Sequence, residues 1–207
     1  MKIILKEKSE DTKNRNSYLI KLENEEEFFI SDEDYFSNQI YGMDEIEPSV
    51  LLNLSRNLII KKAKSYAIKF VMLKIRSSGE VRTKLSQQGY DEEVIEATLE
   101  YLVESNYIND ENFARVYSNH LIKTKRLSQN QIKYELKRKG IDLELVEDIL
   151  SDDSISDIST AQNAFRKKYK NFDFSDVKMK AKAQNFLMSK GFSYDIIKQV
   201  FEGEENR

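Results

Sequence analysis

Several residue types are missing or scarce in this chain of 207 residues. It has no Cys and no Trp, one Pro, one His and six Gly. Without Cys there is no disulfide bond and no thiolate metal site, and the composition fits a reducing compartment. So few Gly and Pro residues exclude a collagen-like or low-complexity chain.

Long apolar runs are also missing. The first eight residues contain only Ile3, Ile4 and Leu5 in succession, which is too short for the core of a signal peptide. No run approaches the roughly 18 apolar residues that a membrane-spanning helix needs. We therefore expect a cytoplasmic protein without a membrane segment.

Catalytic and metal-binding motifs are not recognisable. None of the six Gly belongs to a phosphate-binding loop or a dinucleotide fingerprint, and His120 has no Cys or second His to join it. The acidic runs at 91–93 and 152–153 fit helix capping or a solvated linker better than a metal site. We expect no enzymatic activity, no catalytic residues, no cofactor and no bound metal.

What the sequence does contain is a core-forming, helix-favouring composition. Hydrophobic residues make up 40% of the chain, aromatic residues 11% and charged residues 33%. This is enough apolar material for a folded core. Lys, Glu, Leu and Ile recur throughout, and this usage favours helix.

A repeat with a period of 51 residues organises the chain. Residues 85–91 read LSQQGYD, residues 136–142 read LKRKGID and residues 187–193 read LMSKGFS. In each segment the Gly is suited to end a helix in the left-handed conformation, and the Asp or Ser two residues later is suited to cap the next helix. The apolar residue between them matches a hydrophobic staple. The pattern predicts positive φ at Gly89, Gly140 and Gly191.

The period extends upstream of each Gly turn. Ser77 and Ser128 lie 51 residues apart, and Glu80 and Gln131 follow them by three residues, as in a capping box. One repeat therefore reads as helix A, a short turn, helix B, the Gly turn and helix C. We predict these helices near 61–75, 78–88 and 92–104, near 110–124, 129–139 and 143–150, and near 157–170, 176–190 and 194–202.

The first 60 residues have a different pattern. Short alternating runs at 3–7, 18–22 and 27–30 predict a small β-meander. Ser31 with Asp34 is suited to cap a short helix, and Pro48 to begin another. The predicted fold is mainly α, with three tandem three-helix repeats and a small N-terminal β-containing extension. We divide the chain into four parts: the extension (1–47), a leading helix with repeat 1 (48–105), repeat 2 (106–155) and repeat 3 (156–207).

Charge alternates along the repeats. The net charge is +7 over residues 61–84, −8 over 85–114, +7 over 115–139, −7 over 140–165 and +6 over 166–190. Helices A and B are thus basic, and helix C with its linker is acidic. Stacked repeats place equivalent helices side by side, so a basic stripe would follow. The positions that recur are Lys64, Arg115 and Arg166, Lys74 and Lys125, Arg82 and Lys133, and Lys139 and Lys190.

Two explanations of the alternation remain open. A continuous basic stripe would follow a phosphate backbone or an acidic groove. Alternatively, the charges only satisfy helix dipoles and pair helix C with a neighbouring helix A.

Three stretches of this sequence have distinctive residue patterns. In the first, Arg76-Ser77 is followed by Glu80 and Lys84-Leu85. The second is the run from Asn106 to Asp110 followed by Phe113-Ala114 and Tyr117, and the third contains Ile132, Glu135-Leu136 and Lys139-Gly140-Ile141. These stretches resemble the RecX family, and the likeness covers about residues 61–201.

The resemblance implies a regulator of the recombinase RecA. Members of this family bind in the groove of the RecA–DNA filament and suppress its growth and its ATPase, strand-exchange and co-protease activities. By position, the candidate filament- or DNA-binding residues are Lys74, Arg76, Arg82, Lys84, Lys125, Arg126, Lys133, Lys137, Arg138 and Lys139. We expect a monomer whose partners are a RecA-type filament and single- or double-stranded DNA, bound weakly or through the filament.

Two other functions remain open from the sequence. A sequence-tolerant DNA-binding module fits three short helices with a basic second helix, as in helix-turn-helix proteins. The acidic first 60 residues and a sequence pI of about 5.5 argue against DNA as the only partner. A helical-repeat scaffold that binds other proteins is the third possibility.

Overall fold

The computed structural model describes residues 1–10, 14–151 and 156–206. The described residues form ten α-helices and one three-stranded sheet, so the predicted mainly helical fold with a small N-terminal β-structure is confirmed. The acidic pair at 152–153 lies outside the described residues. The chain divides into two compact units, residues 1–73 with 84–107 and residues 74–83 with 108–207.

The N-terminal sheet is a meander. Strands β1 (Ile3–Lys8), β2 (Ser17–Leu22) and β3 (Glu27–Ser31) pair antiparallel in the order β1-β2-β3. The register pairs Tyr18 with Lys8 on one side and with Ile30 on the other. Ile20, Leu22 and Ile30 are fully buried, so the alternating sequence pattern places one face of the sheet in a core.

Two helices complete the core of the N-terminal sheet. Helix α1 (Asp32–Ser37) begins at Ser31, whose hydroxyl accepts a hydrogen bond from the N–H of Asp34, as predicted. Helix α2 (Pro48–Val71) has Pro48 in its first turn and buries Leu51 and Leu54 in the same core as the sheet. The sequence suggested two separate helices here. They are one, because residues 49–71 contain neither Gly nor Pro to interrupt the hydrogen bonds.

The other helices follow the predicted order. They are α3 (Ser78–Ser86), α4 (Glu92–Glu104), α5 (Asp110–His120), α6 (Gln129–Arg138), α7 (Leu143–Leu150), α8 (Asp157–Lys168), α9 (Val177–Ser189) and α10 (Tyr194–Glu205). Helix α5 continues into a π-helical turn (Leu121–Lys125), which the sequence did not predict.

The three Gly turns have the predicted geometry. Gly89, Gly140 and Gly191 have φ angles of +84°, +75° and +88°. In each turn the residue after the Gly donates its backbone N–H to the carbonyl oxygen of the Leu near the end of helix B, at 3.2–3.4 Å. The donors are Tyr90, Ile141 and Phe192. The capping residues are Asp91, Asp142 and Ser193, which accept from the N–H groups of Val94, Glu144 and Ile196.

Repeats 2 and 3 each have their own hydrophobic cluster. In repeat 2, Ile132 and Leu136 of α6 are fully buried. In repeat 3, Phe165 stands where the repeat pattern has Ala, and its ring centroid lies 4.8 Å from that of Phe172 and 5.7 Å from that of Phe201. The atypical loop after α8 therefore folds its aromatic residues into the core around Phe165.

Candidate functional site

Helix α6 carries the most exposed group of predicted site residues. Because Ile132 and Leu136 are buried, the side chains one position further along, Lys133 and Lys137, share another face. Lys133 forms an ion pair with Glu147 of α7, while Lys137 is exposed. Arg138 lies 3.5 Å from Glu135, and its guanidinium lies 5.9 Å from the centroid of the Tyr134 ring.

A junction between the first turn of α3 and the Gly turn after α6 uses two other predicted residues. The Ser77 hydroxyl donates to the carbonyl oxygen of Lys139 at 2.6 Å, and the Lys139 ammonium donates to the Glu80 carboxylate at 2.6 Å. Arg76 lies 3.7 Å from the same carboxylate oxygen. Arg76 and Lys139 are therefore committed to contacts inside the protein.

The Glu80 carboxylate balances opposing effects. Burial raises the pKa of Glu80, but the hydrogen bond and charge of Lys139, the N–H of Ser77 and the charge of Arg76 together outweigh burial, so the pKa is lowered. The side chain of Glu80 is only 17% exposed. An ionised carboxylate is thus the stable form in the folded protein.

The same junction recurs 51 residues later. The Ser128 N–H donates to the carbonyl oxygen of Lys190 at 3.0 Å, and Ser128 caps α6 by accepting from the N–H of Gln131 at 3.2 Å. The N-terminus of helix B meets an aspartate in each junction. Asp110 accepts from the N–H of Ser78, and Asp157 accepts from the N–H of Gln129, both at 2.8 Å. Burial raises the pKa of Asp157, although the Gln129 N–H acts in the opposite direction.

The close approach at these junctions depends on glycine. A Cβ atom on Gly79 would lie 2.5 Å from the carbonyl oxygen of Lys139, and one on Gly140 would lie 2.7 Å from the Cα of Gly79. A Cβ atom on Gly191 would lie 2.5 Å from the Ser128 hydroxyl oxygen. Two helical elements from consecutive repeats meet there with their backbones almost in contact.

Lys125 and Arg126 belong to a second basic cluster. They end the π-helical turn, and Arg126 has a left-handed φ of +53°. The residues lining a concave pocket of about 140 Å³ are Thr124, Lys125, Arg126, Ala164, Lys167, Lys168, Phe186 and Lys190. We name the five cations among them, Lys125, Arg126, Lys167, Lys168 and Lys190, the junction cluster.

Lys167 and Lys168 are not among the site residues predicted from the sequence. At the repeat offset they align with Val116 and Tyr117, so no recurring basic position marked them. They were visible only as part of the net positive segment 166–190. Lys190 did appear among the recurring positions, paired with Lys139, but the candidate contact residues did not include it.

The remaining predicted residues lie apart from these groups. Lys74 is exposed beyond the end of α2 and lines a pocket of about 270 Å³ with Glu80, His120 and Lys139. Arg82 and Lys84 are half-buried on α3. The structure thus brings Lys74, Arg76 and Lys139 to one junction and Lys125 and Arg126 to another, with Lys133, Lys137 and Arg138 on α6.

Three equivalent positions of the predicted basic stripe make contacts within the protein. Arg115 lies 3.0 Å from Glu111 on the same helix, and Arg166 of α8 lies 2.7 Å from Glu204 of α10. The Lys64 ammonium lies 4.3 Å from the centroid of the Tyr101 ring. These three equivalent positions are therefore engaged within the protein, and the pairing of helix C with helix A does occur in repeat 3.

Other chemistry is sparse in the part of the chain that the structure describes. His120 is exposed, and its Nδ1 atom lies 3.5 Å from the hydroxyl of Thr124. Across residues 1–10, 14–151 and 156–206 no group of three or more His, Cys, Asp or Glu side chains is placed to hold a metal ion. Among those residues no helix is both long and apolar enough to cross a membrane.

Fold and basic junctions together define a tandem three-helix-repeat protein with cationic clusters between and on its repeats. Three family models match it in order: "RecX, first three-helix domain" over residues 63–102, "RecX, second three-helix domain" over 109–150 and "RecX, third three-helix domain" over 156–201.

Whole-chain relatives agree with the family models. The regulatory protein RecX of Clostridium botulinum (strain Alaska E43 / Type E3) is 31% identical over 94% of this chain and 92% of its own. That of Clostridium beijerinckii is 29% identical over 92% and 90%. The chain belongs to the RecX family of regulatory proteins, and the resemblance seen in the sequence is confirmed.

Solved structures share the fold. The crystal structure of RecX from Lactobacillus salivarius matches with a TM-score of 0.61 and 26% identity, over 72% of this chain and 98% of the other. A second crystal structure of a regulatory protein RecX matches with a TM-score of 0.65 over 97% and 98%, and its 21% identity supports the fold alone.

Proposed function

We propose that this protein regulates a RecA-type recombinase by binding the recombinase–DNA filament, and that the regulation is inhibitory. Membership of the RecX family supports the regulatory role. Inhibition and filament binding follow the family resemblance. The protein would then act in DNA recombination, repair and the SOS response, as a cytoplasmic monomer.

The observation that carries the proposal is the basic face of α6. Its apolar side chains Ile132 and Leu136 are fully buried, while Lys137 and Arg138 are exposed. A recombinase–DNA filament carries the phosphates of its DNA, and exposed cations attract such a polyanion over long range. We therefore assign the first contacts to α6 and to the exposed cation Lys125.

Residues of the predicted set have different roles in this proposal. Arg76 and Lys139 hold Glu80, so they position the repeats rather than meet the filament. We keep the functional division into 1–47, 48–105, 106–155 and 156–207, in which repeats 2 and 3 contact the filament.

The test is the ATPase activity of a RecA-type recombinase on single-stranded DNA with and without this protein. We expect hydrolysis to fall as the protein is added, and the inhibition to weaken as salt rises, since each phosphate contact releases counterions. Unchanged hydrolysis at every protein concentration would overturn the proposal.

A sequence-tolerant DNA-binding module is the second candidate function. The junction cluster favours it, because five cations around one concavity suit a phosphate backbone. The two functions separate in a binding experiment. Tight binding to naked DNA with no effect on recombinase favours the module, whereas inhibition of the recombinase favours the filament regulator, whatever the affinity for naked DNA.

A further inference from the structure

We propose that the junction cluster is a phosphate-binding seat for single-stranded DNA, and that the strand continues over Arg126 into a neighbouring concavity. This inference deepens the proposed function and rests on it, because it names the part of the filament that this surface meets. The seat lies between the π-helical turn, the end of α8 and the end of α9.

Two hydrogen bonds from side chains to backbone carbonyl groups hold the seat together. The Lys190 ammonium donates to the carbonyl oxygen of Lys125 at 2.8 Å, which joins the end of α9 to the end of the π-helical turn. The Arg126 guanidinium donates to the carbonyl oxygen of Thr124 at 3.1 Å. Arg126 has a left-handed φ of +53°, which is uncommon for a residue with a Cβ and is a conformation that often marks functional positions.

Two of the cations lie close to the same aromatic ring. The Lys168 ammonium lies 3.9 Å from the centroid of the Phe186 ring, and the Lys190 ammonium lies 5.7 Å from it. A ring face attracts a cation but leaves the other side of the ammonium free to donate. Phe186 therefore holds two lysines near one another without neutralising either of them.

The cations repel one another in the free protein. Among the described residues, no carboxylate lies within ion-pair distance, 4.0 Å, of any of the five. Burial, with the charges of Arg126, Lys125 and Lys168, lowers the pKa of Lys190. An anion in the pocket would offset this repulsion, so the electrostatic free energy of the site falls when an anion binds.

The shape of the surface favours a strand over a single anion. A second concavity of about 320 Å³ is lined by Ile122, Lys123, Arg126, Thr160 and Asn163. It shares Arg126 with the first and adds a cation, a hydroxyl and an amide. Two adjoining concavities with one common arginine fit consecutive groups of a flexible polyanion, and single-stranded DNA supplies a phosphate at every nucleotide.

The experiment measures binding of the full chain to fluorescein-labelled oligothymidylate by anisotropy, without recombinase, over a series of salt concentrations. The test variant is Arg126→Gln with Lys168→Gln. The matched control is Lys178→Gln with Lys182→Gln, which also removes two charges but from exposed positions on α9 outside the cluster. Lys190 is left intact, because its contact with Lys125 supports the backbone.

We expect the test variant to lose roughly tenfold or more in affinity and to lower the salt slope by about 1, as for one or two lost phosphate contacts. The control should change the affinity by less than about threefold. Circular dichroism should give the same helical content for all three proteins. Equal losses in test and control variants, or no loss in either, would overturn the inference.

Nuclear magnetic resonance gives a second readout on the wild-type protein. Titration of the Lys190 ammonium should show its pKa rising when oligothymidylate is bound, because the phosphate offsets the repulsion. An unchanged Lys190 pKa at saturating oligonucleotide would count against the seat.

The recombinase ATPase assay separates this inference from the proposed function. If the wild-type protein fails to inhibit, the proposed function falls, whatever the anisotropy shows. If the test variant binds oligothymidylate normally but no longer inhibits, the cluster contacts the recombinase itself, and the DNA-binding inference is overturned while the proposed function stands.

Discussion

At Gly140 two constraints act on one residue. Its φ of +75° disfavours any side chain, and a Cβ atom would also lie 2.7 Å from the Cα of Gly79. Gly89 has a similar φ of +84° but no atom within 4 Å of the Cβ position. The two glycines therefore separate the cost of the left-handed backbone from the cost of the close approach.

We predict that Gly140→Ala lowers the free energy of unfolding more than Gly89→Ala does. The loss at Gly89 should be about 1–2 kcal/mol, from the left-handed conformation alone. At Gly140 the backbone clash should add about 1–3 kcal/mol, as other overpacking substitutions do. Urea unfolding followed by circular dichroism measures both. Equal losses would show that the two repeats are not held by this contact.

The N-terminus of α3 and the C-terminus of α6 meet in a contact that involves charge. Glu80 accepts from Lys139 at 2.6 Å and also from the N–H of Ser77 at 3.5 Å. The carboxylate therefore caps its own helix, α3, and also holds the C-terminal end of α6. This double use explains why two conspicuous basic residues, Arg76 and Lys139, are turned inward.

The lowered pKa of Glu80 predicts a pH dependence. A carboxyl group whose folded-state pKa lies below its ordinary value of 4.5 stabilises the fold above pH 4.5, and this contribution is lost as the pH falls through the folded pKa. Glu80→Gln should cost roughly 1–3 kcal/mol at pH 7. Below pH 4.5 the variant and the wild type should converge.

The control for this prediction is Glu147→Gln, which removes the partner of Lys133 at an exposed position. Its effect at pH 7 should stay within about 1 kcal/mol, because exposed ion pairs contribute little. Urea unfolding at a series of pH values measures both variants. A difference between Glu80→Gln and the wild type that is the same at pH 3 and pH 7 would contradict the assignment.

For the molecule as a whole, the charges sort into those used internally and those available to a partner. Arg115, Arg166 and Lys139 pair with carboxylates, whereas Lys137 is exposed. The residues that line the pocket of the junction cluster include no Asp or Glu. We therefore expect the positive segments 115–139 and 166–190 to act through a few available cations rather than through a uniform stripe.

We predict that Lys133→Glu with Lys137→Glu abolishes most of the inhibition of recombinase ATPase. Reversing two charges on α6 should raise the protein concentration for half-inhibition by roughly tenfold or more. The stability should change by about 1 kcal/mol at most, because both side chains lie at the surface. Lys178→Glu with Lys182→Glu is the matched control. Undiminished inhibition by the α6 variant at every salt concentration would remove α6 from the contact surface.

The sequence by itself determined the repeat and the positions where its helices begin and end. A Gly with positive φ, a capping Asp or Ser and a 51-residue period are local signals, because each acts on the backbone within one helical turn. The short strands were also predictable, since their alternation follows from one buried face. The sequence did not predict that the leading helix and helix A of repeat 1 form the single helix α2, although no residue between them interrupts a helix.

Only the tertiary structure decided which charges meet. Lys139 and Glu80 are 59 residues apart, and Lys190 and Lys125 are 65 apart, so neither contact has a local signal. Lys167 and Lys168 join the junction cluster because the π-helical turn and the end of α9 lie beside α8. A side chain's partners depend on how the helices pack, and packing is set by the buried residues rather than by the charged ones themselves.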